Sequence, residues 1–399
     1  MRRAVLLTLL LAGAGAAAPV AAAVAAPAAP GRCGGSVPFR SGTEGYHTFR
    51  IPAVVQAGRV LVAFAEGRRG SAGDSGDIDV VARRSTDGGC NWGPLQLVTD
   101  AGPDTAGNPA PVVDPRTGRI TLLTCQNAGS VTERQIRTGQ LRPEQGRRVF
   151  VQHSADAGRS WSPRREITAA VKPAGWRWYA TGPGHAIALR HGRYAGRLLV
   201  PANHSAAPPT GSPDTGAEDR YYGGHALYSD DAGRTWRIGF VDSDGDGRVN
   251  PNESTAAQLP DGRLYLNTRD QHGTAPGSRA DSYSHDGGRT LERPYTAHPE
   301  LTGPVVQGSV LRPAGARSPL LYSGPADPGR RAAMTVRASW DGGVSWRAVR
   351  QVSTAPAAYS DLVELVELDS RLVGLLYETG QRGPYEDIAF TRLPLAELD

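Results

Sequence analysis

Short apolar or alternating runs recur along the chain, and none has the sustained 3.6-residue periodicity of a long amphipathic helix. Runs at 51–56, 60–65, 78–83, 186–189, 198–201, 264–268, 334–337 and 362–368 predict short β-strands. Turn chemistry separates them, as in Ala57-Gly58-Arg59 and Pro260-Asp261-Gly262. The opening stretch reads differently. Met1-Arg2-Arg3 precedes an apolar run to Ala18 and a small-residue tract to Pro30, the layout of a secretory signal with its exit between Ala23 and Ala29. Residues 1–29 are therefore expected to be removed and the product secreted. No later run is long and apolar enough to span a bilayer, and no anchoring tail follows Leu393.

Five segments share a Ser-x-Asp-x-Gly-x-(Thr/Ser/Asn)-aromatic frame with small departures, beginning at Ser85, Ser154, Ser229, Ser284 and Ser339. Their aspartates stand at 87, 156, 231, 286 and 341, giving intervals of 69, 75, 55 and 55. The frame suits a tight hairpin. Aspartate bonds nearby amides, glycine permits positive φ, and the aromatic fills the space beside the turn. Such turns are Asp-boxes, the mark of β-propeller blades. About 370 residues beyond the signal, split six ways, give about 62 per blade, close to the intervals. The expectation is all-β: a six-bladed β-propeller of four-stranded antiparallel blades, with five boxed blades and an unboxed sixth beginning near Tyr359. A short lead at 30–42 precedes the propeller at 43–399.

Composition adds little to that picture. The 50 glycines and 31 prolines fit many turns. Lys172 is the only lysine, so the net charge of +5 is carried almost wholly by arginine. The arginines are scattered rather than striped, which excludes a nucleic-acid surface. Cys33, Cys90 and Cys125 permit one disulfide and one free thiol, with the pairing open. No spacing resembles a zinc site. Asp242, Asp244, Asp246 and Glu253 match a calcium-loop pattern, but helical flanks are missing, and the reading here is an acidic surface loop with Glu253 reserved for chemistry.

Meander topology narrows the search for that chemistry. Boxes lie in the turns from third to fourth strands, on one rim. Entries to first strands and exits from second strands lie on the other, where a pocket over the central channel forms. Arg50 enters a first strand in Phe49-Arg50-Ile51-Pro52, Arg68 closes the next, and Asp74 lies in the loop beyond. Glu253 enters another first strand and Arg269 leaves its partner; Arg331 follows a second strand; Tyr359 enters the last blade and Glu378 leaves its second strand. Alone, each is an ordinary surface arginine, packing tyrosine or solvated carboxylate. Their shared rim makes them a candidate site.

Taken together, Phe49-Arg50-Ile51-Pro52, the boxes, the segment from Trp178 to His185 and Asn252-Glu253 resemble the bacterial exo-sialidases, from about Thr43 to the C-terminus. That resemblance implies an exo-α-sialidase acting on sialylated glycans of glycoproteins, glycolipids and oligosaccharides. Arg50, Arg269 and Arg331 are implied as the triad gripping the substrate carboxylate, since planar guanidinium forks match it. Arg331 is preferred to Arg330 for its distance from the box at Trp346. Glu378 is implied as the brace of one arginine, and Asp74 as the general acid/base. Tyr359 is implied as nucleophile with Glu253 as its base. A neutral phenol avoids the repulsion that a carboxylate would meet at an anomeric carbon already bearing one. Arg68 and His185 are expected to line the pocket, and Trp176 and Trp178 either to shape the glycan site or simply to pack. No metal or organic cofactor is required, and a monomer is expected. A propeller that only binds glycans or proteins is the alternative; transfer of sialic acid or release of an anhydro product also stays open.

Overall fold

The structure, a computed structural model, describes residues 33–315, 317–366 and 371–398. The expected signal at 1–29 lies outside them. Among the described residues the architecture is a β-propeller of four-stranded antiparallel sheets, interrupted by the short helices Glu133–Thr138 and Thr168–Val171.

Chain order gives successive meanders. The first is Thr48–Ala57, Val60–Arg68, Ile78–Ser85 and Gln96–Thr99. The second is Thr105–Val113, Ile120–Asn127, Arg148–Ser154 and Arg165–Glu166. In the third, Trp176–Thr181 and Ile187–Ala188 both pair with Leu198–Ala206, followed by Tyr222–Ser229 and Arg237–Asp242. The fourth runs from Pro251–Gln258 to Thr296–Ala297 and the fifth from Ser309–Leu311 to Arg347–Gln351. The last holds Ala357–Val366, Arg371–Thr379 and Asp387–Pro394, and its outer strand is Ser36–Arg40 from the start of the chain.

One expectation needs correction. Six separate four-stranded sheets were expected, whereas hydrogen bonding gives five sheets, one of them eight-stranded. The cause is local: Ile78 pairs in parallel with Thr105 and joins the first two meanders into one ladder. The run at 186–189 is a strand only over Ile187–Ala188, and residues 367–368 lie outside the described ones.

The five boxes sit between third and fourth strands. In each, the serine hydroxyl accepts from the amide of the glycine four residues on, as in Gly89 to Ser85 (2.8 Å) and Gly288 to Ser284 (3.0 Å). The aspartate accepts from the amide four residues on, as in Thr235 to Asp231 (2.8 Å). Burial opposes ionisation of Asp231, but the Thr235 hydrogen bonds outweigh it and hold the carboxyl down at about 2. The apolar residue closing each box reaches the preceding meander. Trp161 meets Phe64 edge-on at 5.7 Å, Trp92 meets Phe390 at 5.5 Å and Trp346 lies 5.9 Å from Tyr265. Trp236 and Leu291 do the same in their own core clusters. A box is thus a turn staple that also seals a sheet interface. The last meander has no box because the chain does not connect its third and fourth strands.

That last meander is closed instead by the N-terminal strand and a Cys33–Cys90 disulfide, which decides the open pairing and leaves Cys125 free and buried. Cys90 belongs to the first box, and Ser36 donates to Gly89 O while accepting from Trp92 Nε1 (2.9 Å). The bridge therefore ties first meander to last across a sequence separation of 57. Cys33→Ser is expected to lower unfolding stability by roughly 2–4 kcal/mol, read from denaturant midpoints under oxidising conditions. An unchanged midpoint would show that strand pairing alone closes the ring.

Candidate active site

The side chains that converge do so because first strands are bulged near their starts. Register breaks fall between Arg50 and Ala53, Gly107 and Ala110, Trp176 and Tyr179, Pro251 and Ser254, and Ala357 and Ser360. A bulge adds a residue and re-aims its neighbours. Asn108, Trp178, Glu253 and Tyr359 lie within these breaks and Arg50 at the edge of the first, and all five line one pocket of about 200 Å³. At the first break Ile51 has φ 60°, a costly conformation for a β-branched residue, held by an amide that donates to Glu378 Oε1 at 2.9 Å.

Glu378 is fully buried and organises the pocket floor. Arg50 donates to it from Nε (2.8 Å) and Nη2 (3.3 Å), and the Tyr359 amide donates at 3.1 Å. Burial alone would discharge Arg50, but the Glu378 carboxylate overrides it and keeps the guanidinium charged.

Three guanidiniums surround the Tyr359 ring or hydroxyl. The Arg50 and Arg331 Cζ atoms lie 5.1 and 5.9 Å from the ring centroid. Arg269 Nη1 donates to the hydroxyl (3.4 Å) and to Glu253 Oε2 (2.9 Å). Arg331 is oriented by Tyr385 Oη (2.8 Å) and Val305 O (3.1 Å). Its neighbour Arg330 instead pairs with Asp327 on the surface, so Arg331 supplies the third pocket arginine. The Tyr359 hydroxyl donates to Glu253 Oε1. Burial, then the Glu253 charge, push the phenol well above its usual range, against the pull of Arg269 and Arg50. The free site thus holds a neutral tyrosine on a carboxylate.

Asp74 stands at the mouth, its side chain 75% exposed, 2.7 Å from Arg68 and 3.9 Å from Arg50. Partial desolvation favours its neutral form, but Arg68 and Arg50 prevail and hold it below the usual carboxylate range.

Arg50, Arg68, Asp74, Glu253, Arg269, Arg331 and Tyr359 are therefore brought together, with Glu378 directly behind. His185 is not. The Gly182-Pro183-Gly184 segment turns the chain so that the His185 amide and Nδ1 meet Asp361 at 2.9 and 2.7 Å. It lines a separate cavity of about 660 Å³ walled by first strands, with Val54, Ala188 and Leu362. Trp176 stacks on His204 (3.6 Å between centroids), whereas Trp178 lines the pocket under Arg147 at 4.0 Å.

Sequence reasoning missed Glu66, Asn108, Arg147, Glu133 and Tyr222. Glu66 carried a readable signal, since it stands two residues before Arg68 on one strand and shares its face. Glu133 carried none, because the helix Glu133–Thr138 is an insertion whose carboxylate accepts from Tyr222 Oη; burial pushes it upward. Among the described residues no cluster of three or more His, Cys, Asp or Glu is placed to hold a metal ion. Glu253 faces Tyr359 and Arg269, and Asp242 accepts from the Tyr295 amide (2.7 Å).

The propeller with boxed turns is of the BNR type: a BNR repeat-like domain is matched over residues 58–369. The chain is 35% identical over 359 residues to a sialidase of Micromonospora viridifaciens, covering 85% of this chain and 51% of that protein. It is 34% identical to an exo-alpha-sialidase of Aspergillus fumigatus, covering 74% and 69%. Among solved structures, the Hadza microbial sialidase Hz136 superposes with a TM-score of 0.75 at 27% identity, covering 92% and 69%. The chain belongs to the sialidase family of glycoside hydrolases. It spans about half the length of the Micromonospora relative.

Glu378→Gln leaves the Arg50 charge buried with one acceptor lost. It is expected to destabilise the fold by about 3 kcal/mol in equilibrium unfolding. Wild-type stability would show that Arg50 is held by something else.

Proposed function

We propose that the protein is an exo-α-sialidase that removes terminal sialic acid from glycoproteins, glycolipids and oligosaccharides with net retention, through a tyrosine-linked intermediate. The observation that carries this reading is the hydrogen bond from Tyr359 to Glu253 inside a ring of Arg50, Arg269 and Arg331. The three guanidiniums take the substrate carboxylate and set the anomeric carbon over the phenol.

The chemistry follows from the charges. The Tyr359 oxygen attacks the anomeric carbon while its proton passes to Glu253, which leaves both groups neutral and the Arg269 charge to the substrate carboxylate. The glycosidic bond breaks as its electron pair goes to the leaving oxygen, which takes a proton from Asp74. Water then gives a proton to Asp74 and attacks the same carbon. The phenolate leaves and recovers its proton from Glu253, so both residues return to their starting states.

Asp74 must carry a proton to act as acid, yet Arg68, Arg50 and Arg331 hold it ionised in the free site. The substrate carboxylate compensates Arg50 and Arg331, which raises the proton affinity of Asp74 when substrate binds. Binding itself thereby arms the acid.

The same reading counts the two halves of the eight-stranded sheet as separate blades, which makes six. The strand ladder joins them through the single Ile78–Thr105 pair. Residues 1–29 are a secretory signal, 43–399 the catalytic domain, and the enzyme is secreted. No described helix is long and apolar enough to cross a membrane.

With sialyllactose as substrate, Tyr359→Phe and Asp74→Ala are each expected to lose about 100-fold or more in kcat/KM while keeping wild-type thermal unfolding. Near-normal activity in both would overturn the mechanism. A folded wild type without turnover at any mildly acidic to neutral pH would favour a propeller that only binds glycans.

A further inference from the structure

Arg68 is fully buried and serves two carboxylates at once. Its Nη1 lies 2.7 Å from Asp74 and donates to Ala72 O at 2.6 Å. Its Nη2 and Nε donate to Glu66 Oε2 at 2.7 and 3.2 Å. Glu66 is itself buried, and its other oxygen accepts the Asn108 amide at 2.9 Å. Asn108 is held there at φ 53° in the bulge of the neighbouring first strand. Gly107 is required beside it, because a Cβ at that position would collide with the Glu66 carboxylate. Two neighbouring meanders are thus shaped around one buried carboxylate, which stands opposite Arg50 in the strand register.

The charges facing Asp74 come from four directions. Arg68 lies at the end of its own strand, Arg50 on the first strand and Arg331 on the fifth meander, while Glu133 stands across the pocket on the inserted helix. On the proposed function the substrate carboxylate compensates Arg50 and Arg331, while Arg68 lies outside that triad and keeps Asp74, Ala72 O and Glu66 as its partners. An uncompensated Arg68 at 2.7 Å would keep Asp74 ionised throughout the reaction. Glu66 opposes that, since two hydrogen bonds to it spread the guanidinium charge over a second carboxylate.

We propose that Glu66 is a positioning residue for the acid step: it holds and partly neutralises Arg68, so that Asp74 takes up a proton once substrate has bound and delivers it to the leaving oxygen. This rests on the reading of Asp74 as general acid. In the resulting step the proton moves from Asp74 to the glycosidic oxygen as the anomeric bond breaks; Glu66 exchanges no proton.

The test compares sialyllactose, a poor leaving group that needs the acid, with 4-methylumbelliferyl α-sialoside, whose phenolate departs unaided. Glu66→Gln is expected to cut kcat/KM for sialyllactose about 10-fold or more and to move the alkaline limb of its pH profile down by roughly one unit. For the aryl sialoside the loss is expected to stay within about 3-fold. Arg68→Gln, which removes the cation, is expected to move the alkaline limb upward. It keeps the test decisive if Glu66→Gln does not fold. Limbs that stay in place in the folded variants, or equal losses on both substrates, would overturn the proposal and leave Glu66 a purely structural group. Asp74→Asn separates the two levels. If it discriminates between the substrates and Glu66→Gln does not, only the role of Glu66 falls. If Asp74→Asn treats both substrates alike, the reading of Asp74 fails and takes this inference with it.

Discussion

A single buried carboxylate, Glu378, holds the site together. It accepts from the Arg50 side chain, the Ile51 amide and the Tyr359 amide, and so joins the first strand of the first meander to the first strand of the last. These are the two ends of the ring. The contact is therefore at once the seam of the propeller and the support of its chemistry. It also explains how Ile51 keeps a left-handed backbone, since the amide that the strain exposes has a charged acceptor waiting. On the opposite rim the seam is closed by the N-terminal strand and the Cys33–Cys90 bridge.

Around that support the pocket is an exercise in distributing charge. Five buried or half-buried arginines would repel one another if left alone. Glu378 takes Arg50, Glu253 takes Arg269 and Glu66 takes Arg68, while Arg331 and Arg147 rest on neutral oxygens. On the proposed function Arg331, Arg50 and Arg269 together take the substrate carboxylate. A substrate carboxylate completes the balance, and on the proposed function that completion readies Asp74 to act as acid. On that proposal a neutral sugar would leave the excess positive charge in place, and selectivity and activation would share one electrostatic origin.

Local chemistry made much of this legible in the sequence. The boxes were readable because each folds on itself, with Ser, Asp and Gly bonding within a few residues. Arg50, Arg269 and Tyr359 were readable because strand entries and exits fall at predictable places in a meander. Long-range geometry was not readable. Nothing near Ile78 announces its pairing with Thr105, and the partner of Cys33 depends on the N-terminal strand returning to the last meander. His185 failed for a similar reason, because the backbone turn before it aims the ring at Asp361 instead of the pocket. Glu66 was missed although its spacing from Arg68 was visible, since a buried carboxylate beside an arginine resembles any structural ion pair until its second partner is known.

The central claim is that Tyr359 forms the covalent bond to sialic acid. Incubation with 2,3-difluorosialic acid, followed by proteolysis and peptide mass mapping, tests it most directly. One adduct is expected, on the peptide bearing Tyr359, formed in step with loss of activity and absent from Tyr359→Phe. An adduct on Glu253 or Asp74, or inactivation of Tyr359→Phe with the same labelling as wild type, would contradict it.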